Sequence, residues 1–288
     1  MMALVFVVLS AVFAGLNLPA LKYGLTELSP VLLMLIRFAA ATLVIWLIYR
    51  PKIQKTALKA SFLSAGALLL IILGLSLSTI SYVQAILAFI PVAVGLGAHH
   101  LLGEKQTLKS IAGILLGLGG TLFIIFEVKI SGTNGHQLVI GNLLVFFSAI
   151  LSALYIVECR KLSKTISSID LTFNQFVATT FVFILGMFAM AILGKPLVVS
   201  ETTNVSLYSL IYLIIFGTVL MFFFYQKGIK QTNAYVVGLS QYLQLPVGVL
   251  SGVILFSDKI SPVFILGTGL ILAGSLIGTF NHLSNEKS

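Results

Sequence analysis

Along the whole chain, apolar runs of about twenty residues alternate with short gaps that hold charge, proline or glycine. A helix needs about 20 mostly apolar residues to cross a hydrocarbon layer about 30 Å thick. Only backbone whose amides are satisfied internally can face lipid. Each run therefore predicts a spanning helix, at about 2–23, 30–49, 60–79, 81–102, 108–127, 138–158, 172–193, 207–226, 233–256 and 261–282. The run from Lys59 to Gly103 is too long for one helix, so it divides, although Leu77 to Val83 marks the turn with small polar residues and no charge. The run from Met2 to Leu21 lacks a basic leader and exceeds the apolar core of a signal peptide, so it reads as the first span. Ten spans of helix predict an all-α membrane protein.

Composition agrees. Of 288 residues, 59% are hydrophobic and 9% charged, against about 25% charged in a soluble domain. The formal charge of +9 sits in the gaps between spans, with no basic stripe for nucleic acid. With the N-terminus cytoplasmic, one side of the membrane takes Arg50, Lys52, Lys55, Lys59, Lys105, Lys109, Arg160, Lys161, Lys164, Lys227, Lys230 and Lys287. The other takes Lys22, Lys129, Lys195 and Lys259. The positive-inside rule then puts both termini in the cytoplasm. Cys159 is the single cysteine and has no internal disulfide partner; four histidines are scattered, and His99 and His100 point to different helix faces, so no metal or cofactor is expected.

The chain repeats itself. Gly74, Glu104, Gly113 and Gly120 recur 154 positions later as Gly228, Asp258, Gly267 and Gly274, and Pro91 recurs 155 later as Pro246. Nearer the front of each half the spacing is 138, pairing Gly15 with Ala153, Lys22 with Arg160 and Phe38 with Phe176. The polar stretch Lys195 to Ser206 supplies the insertion. Each half holds five spans, an odd number, so the second enters the membrane from the opposite face. This is the inverted repeat through which transporters achieve alternating access. The expected division is a first repeat at 1–129, a linker at 130–137, a second repeat at 138–283 and a tail at 284–288.

These residues resemble the EamA-type transporters of the drug/metabolite transporter superfamily. The resemblance rests on a mid-span proline, a turn with an acidic residue and a glycine-rich following span. It reads as Pro91, Gly103-Glu104-Lys105, Gly113, Gly117 and Gly120, and again as Pro246, Asp258-Lys259, Gly267 and Gly274. Gly15, Asn17, Lys22, Pro30 and Arg37 fit the front of the pattern. The resemblance implies a multi-pass protein of a prokaryotic plasma membrane and a small-molecule solute. It does not choose among amino acids, sugar phosphates, nucleotide sugars and drugs. Aspartate replaces the usual glutamate at Asp258, and Ala14 stands where an aromatic is common.

Candidate site residues follow from polarity at membrane depth. Pro91 and Pro246 each free a carbonyl near mid-membrane, which fits either a broken helix lining a solute path or a static kink. Glu104 and Asp258 precede the fifth and tenth spans, where carboxylates cap free amides; proton coupling is the alternative. Arg37 lies within the second span and needs a partner or a wet cavity. With Lys22 it serves either solute attraction or pairing with Glu27 or helix-end carbonyls. Glu158 is an end-of-helix charge or, turned inward, a coupling carboxylate. Asn17, Gln84, Tyr155, Asn174, Gln175, Tyr225, Gln241, Tyr242 and Gln244 either bind neighbouring helices or line a cavity. Gln84, Gln241 and Gln244 precede the two prolines closely, which suggests an amide and phenol pocket for a polar or zwitterionic solute. The glycines of the fifth and tenth spans form packing faces within the protomer or between the protomers of a homodimer.

A secondary exporter of small metabolites such as amino acids is the expected function. Efflux of cationic drugs and exchange of sugar- or nucleotide-linked solutes are the alternatives. No GxxxxGK[ST] motif occurs, so ATP is not the direct energy source. A membrane-embedded lipid-modifying enzyme would need converging catalytic groups, and a channel a filter segment; neither pattern is present.

Overall fold

The computed structural model describes residues 2–102, 108–127, 135–198, 204–221, 224 and 244–285. The described chain is helical: α1 (Met2–Gly15), α2 (Asn17–Gly24), α3 (Pro30–Tyr49), α4 (Lys55–Leu77), α5 (Ile80–Leu87), α6 (Ile90–Leu102), α7 (Leu108–Glu127), α8 (Gly135–Leu162), α9 (Ser168–Ile192), α10 (Asn204–Ile214), which continues as a π-helical turn (Ile215–Leu220), α11 (Gln244–Phe256) and α12 (Pro262–Asn285). Among the described residues, five spans are long and apolar enough to cross a membrane: Pro30–Tyr49, Lys55–Leu77, Ile80–Leu101, Gly135–Leu162 and Ser168–Ile192. The shorter apolar helices complete an all-α membrane protein of about ten spans.

Polarity is arranged as lipid demands. Leu43, Leu115, Phe188, Ile192 and Leu266 are exposed, whereas Ser61, Ser81, Asn142, Ser148, Asn174 and Thr179 are buried. Small hydroxyls turn inward because lipid offers them no hydrogen bond, and Ser61 donates to the Ala57 carbonyl one turn back at 2.7 Å.

Helix starts are set by local chemistry repeated in both halves. Ser29 accepts from the Leu32 amide at 3.3 Å and Pro30 occupies the first turn of α3. Ser167, 138 positions on, accepts from the Asp170 amide at 3.1 Å at the start of α9. The weakly marked turn after the third span falls at Ser78-Thr79, where Thr79 caps α5 by accepting from the Tyr82 amide at 3.4 Å.

The repeats pack on each other through their equivalent helices. In α7 and α12, a Cβ added to Gly267 would stand 2.9 Å from the Gly120 carbonyl oxygen, while one on Gly274 would strike the Gly113 carbonyl. Gly113 and Gly267, like Gly120 and Gly274, are repeat mates, so the two contacts exchange under a twofold operation. A residue early in one helix meets one late in the other, and the helices run antiparallel. The same holds for α3 and α9: Val31 near the start of α3 packs on Gly186 late in α9, and Thr42 shares a 3.3 Å hydrogen bond with its mate Thr180. Mates in contact and helices antiparallel are the physical signature of an inverted repeat.

Candidate substrate path between the repeats

The π turn of α10 builds the first polar junction. A π turn widens the helix and takes carbonyls out of the ordinary ladder, and Thr218 Oγ1 here donates to the Leu213 carbonyl five residues back at 2.8 Å. The buried Arg37 reaches across from α3, its Nε donating to Thr218 Oγ1 at 3.0 Å and its Nη2 to the Gly217 carbonyl at 3.2 Å. Asn17, at the start of α2 just past the break at Leu16, donates to the same carbonyl at 3.2 Å. Gly217 is required here, since a Cβ would collide with the Asn17 amide. Among the described residues no carboxylate pairs with Arg37, so the guanidinium keeps a net charge inside the bundle.

The second junction is the repeat image of the first. Tyr155 of α8 donates to Gln175 Oε1 at 3.2 Å, and Gln175 Nε2 donates to Ser64 Oγ of α4 at 2.7 Å. Asn17 and Tyr155 are 138 apart, as are Arg37 and Gln175, and Ser64 and Thr218 are 154 apart. One architecture thus carries two chemistries, a cation in the first repeat and a neutral amide in the second. Nothing in the sequence reading singled out Ser64, Gly217 or Thr218; applying the 154 spacing to hydroxyl residues as well as glycines would have paired Ser64 with Thr218.

Helix α5 packs on α11. Gln84 is buried, its side chain lying on Gly248, where a Cβ would come within 2.6 Å of it. The fourth span is broken at Ala88-Phe89, and Pro91 sits second in α6, where its missing N–H is tolerated. The Ala88 carbonyl at the break accepts from Ser275 Oγ of α12 at 3.0 Å, so the other repeat reaches into the break and satisfies a carbonyl there. Pro246 lies in α11 and is exposed, and Gln244 of the same helix is half-buried.

At the membrane end bearing Lys22, polar contacts tie helix termini together. Lys22 Nζ donates to the Leu75 and Ser78 carbonyls at 2.7 and 2.6 Å, which places a cation on the C-terminal end of α4. Ser78 Oγ donates to the buried Asn142 of α8 at 2.6 Å, and Tyr82 donates to Glu127 at 3.1 Å. Asp258 accepts from the Ser81 amide and hydroxyl, both at 2.8 Å. The expectation that Asp258 caps the tenth span is corrected here: its carboxylate caps α5 of the other repeat, because Ser261 already accepts from the Phe264 amide at 2.9 Å at the start of α12. A cavity of about 270 Å³ opens beside this end, lined by Lys22, Leu25, Thr26, Pro30, Ser76 and Phe256 among others.

Other predicted residues fall outside these clusters. Glu158 pairs with Lys161 at 2.9 Å on the half-exposed end of α8. Asn174 clamps the segment between α3 and α4, accepting from the Gln54 amide at 3.0 Å and donating to the Lys52 carbonyl at 3.0 Å. Glu104, Tyr225, Gln241 and Tyr242 lie outside the described residues. No group of three or more metal-binding side chains occurs among the described residues.

Comparison with known proteins places this architecture. The chain matches the EamA-like transporter family over residues 1–126 and again over 139–280. It is similar to the "Uncharacterized transporter YvbV" of Bacillus subtilis, 33% identical over 164 residues that cover 54% of this chain and 52% of that protein. It is also similar to the "Uncharacterized transporter YetK" of the same organism, 27% identical over 190 residues covering 65% of this chain and 56% of that one. The matched region therefore spans about half the length of these two relatives. With the "Uncharacterized transporter YyaM", also of Bacillus subtilis, it shares 24% identity over 92% of this chain and 90% of the other. A crystal structure with 18% identity superposes with a TM-score of 0.65 over 96% of both chains, which is a likeness of fold. Matched in both inverted repeats and sharing the fold, the chain is a multi-pass membrane protein that belongs to the EamA-like transporter family.

Proposed function

We propose that the protein is a secondary transporter that exports small metabolites, amino acids or related amphiphilic solutes, by alternating access. The moving bodies are the halves 1–129 and 138–283, and the path runs between them. One observation carries the reading: the paired junctions Asn17–Arg37–Thr218 and Tyr155–Gln175–Ser64 each join one repeat to the other through side chains at bundle depth. A static scaffold has no need of the same polar junction twice, whereas a carrier that opens to each face in turn needs one on each side of its path.

The charge of Arg37 favours a solute with a carboxylate or other anionic group, since a cation that pairs with no carboxylate among the described residues, in a low-dielectric region, attracts one. This argues against a purely cationic drug as the main cargo. Gln84 and Tyr155, with Gln241, Tyr242 and Gln244, are the proposed polar lining. The distribution of lysine and arginine supports a cytoplasmic position for both termini.

Purified protein in liposomes tests the reading. Preloading with a mixture of amino acids should produce saturable counterflow of a labelled one, and the Arg37→Gln variant should lose most of it while remaining folded. Steady conductance, or preferential counterflow of organic cations, would overturn the proposal.

A further inference from the structure

We propose that the contact between Ser81 and Asp258 is the latch that holds one face of the transporter closed, with Asp258 as its positioning residue. The idea rests on the alternating-access reading above. It starts from the geometry of a single turn. Helix α11 ends with Ser257 in the left-handed region at φ 54, a conformation that usually falls to glycine. The Asp258 amide donates back to the Gly252 carbonyl at 3.2 Å and the Ser257 amide to Val253 at 3.1 Å. This tight reversal lays the Asp258 carboxylate against Gly252 and across the gap onto α5. A Cβ at Gly252 would stand 2.5 Å from Asp258 Oδ2 and 2.7 Å from Ser81 Oγ, so the latch exists only because residue 252 has no side chain.

Among the described residues the Asp258 carboxylate makes no hydrogen bond within its own repeat, where Ser261 caps the helix that follows it. Its two hydrogen bonds both go to the first turn of α5, where a carboxylate also meets the positive end of the helix dipole. Beside it, Tyr23 of the first repeat and Phe256 of the second are in ring contact at 4.6 Å, closing the same end. Behind it, Gln84 is sealed against Gly248. A contact between repeats made of two hydrogen bonds at a membrane end, with a small-residue seam beneath, can open and re-form without disturbing the packing of either repeat.

The test uses the full chain with Cys159→Ser and Gln84→Cys, probed with a membrane-impermeant maleimide from each side of sealed vesicles. From the Asp258 side, Asp258→Ala should raise labelling of the reporter by roughly tenfold or more, the size expected from losing hydrogen bonds to a charged acceptor. Ser81→Ala should add little to Asp258→Ala, and Asp258→Asn, which keeps an acceptor oxygen, should recover part of the protection. Unchanged labelling overturns the latch. So does an equal rise at Ser148→Cys, buried in α8, which would mean general loosening. Labelling of the natural Cys159, in protein without the reporter, separates the two ideas: if Gln84→Cys opens while Cys159 reactivity stays constant, the latch stands and the rocking mechanism fails.

Discussion

Phe38 and Phe176 meet edge to face with their ring centroids 5.4 Å apart, at the crossing of α3 with α9. They are 138 positions apart, so each is the other's repeat mate, and two mates can touch only where the symmetry axis passes between them. One turn further along α3, Thr42 meets its mate Thr180 in the same way. The axis is thus marked at one crossing by an aromatic pair and a hydroxyl pair, and at the α7–α12 crossing by glycines.

Close approach at the second crossing makes a specific demand on side-chain size. Gly267→Leu should destabilise the protein by about 3 kcal/mol or more, because the added atoms meet the Gly120 backbone, which cannot step aside as a side chain would. Gly269→Leu, two residues on in the same helix and with open space where a Cβ would go, should cost under about 1 kcal/mol. Thermal unfolding in one detergent compares them, and equal losses would contradict the crossing described.

Arg37 and Gln175 occupy equivalent junctions, so an amide at position 37 should be accommodated. Arg37→Gln is expected to stay within about 1 kcal/mol of the parent protein, and Arg37→Leu to lose about 1–3 kcal/mol by leaving Thr218 Oγ1 without its donor and the Gly217 carbonyl with Asn17 alone. Comparing melting of the two variants checks this; a Gln variant as unstable as the Leu variant would break the equivalence.

Lys22 and Glu158 make a contrast between charges that look alike in sequence. Lys22→Met removes two short hydrogen bonds to the end of α4 and should lower stability by about 1.5–3 kcal/mol, with faster hydrogen exchange around Leu75 and Ser78. Glu158→Gln breaks only a half-exposed pair with Lys161 and should change stability by about 0.5 kcal/mol or less. The same variant should leave any pH dependence of transport unchanged, and a loss of that dependence would restore Glu158 as a coupling carboxylate.

The break in the fourth span depends on Ser275 as well as on Pro91. Ser275→Ala should leave the Ala88 carbonyl without that hydroxyl, at a loss of about 1–3 kcal/mol. Adding Pro91→Ala, which restores a backbone donor near the break, should recover part of it. Unfolding of the single and double variants would show the coupling, and simple additivity would argue against it.

Much of this is legible in the sequence. The number of spans, their helical nature and the inverted pairing of halves follow from apolar length and from residues repeated at fixed spacing, because the bilayer imposes one solution on every long apolar run. The spacing of Phe38 and Phe176 already named two equivalent positions. What it did not carry was that those positions touch. Linear order likewise pointed Asp258 at the helix that follows it, whereas the turn at Ser257 sends it to α5, and it did not say that Lys22 reaches the end of α4. Spacing along a chain determines which residues are equivalent. Which side chains meet depends on where separate helices cross, and that is decided by packing between repeats, where a missing Cβ at Gly252 or Gly217 matters as much as any polar group.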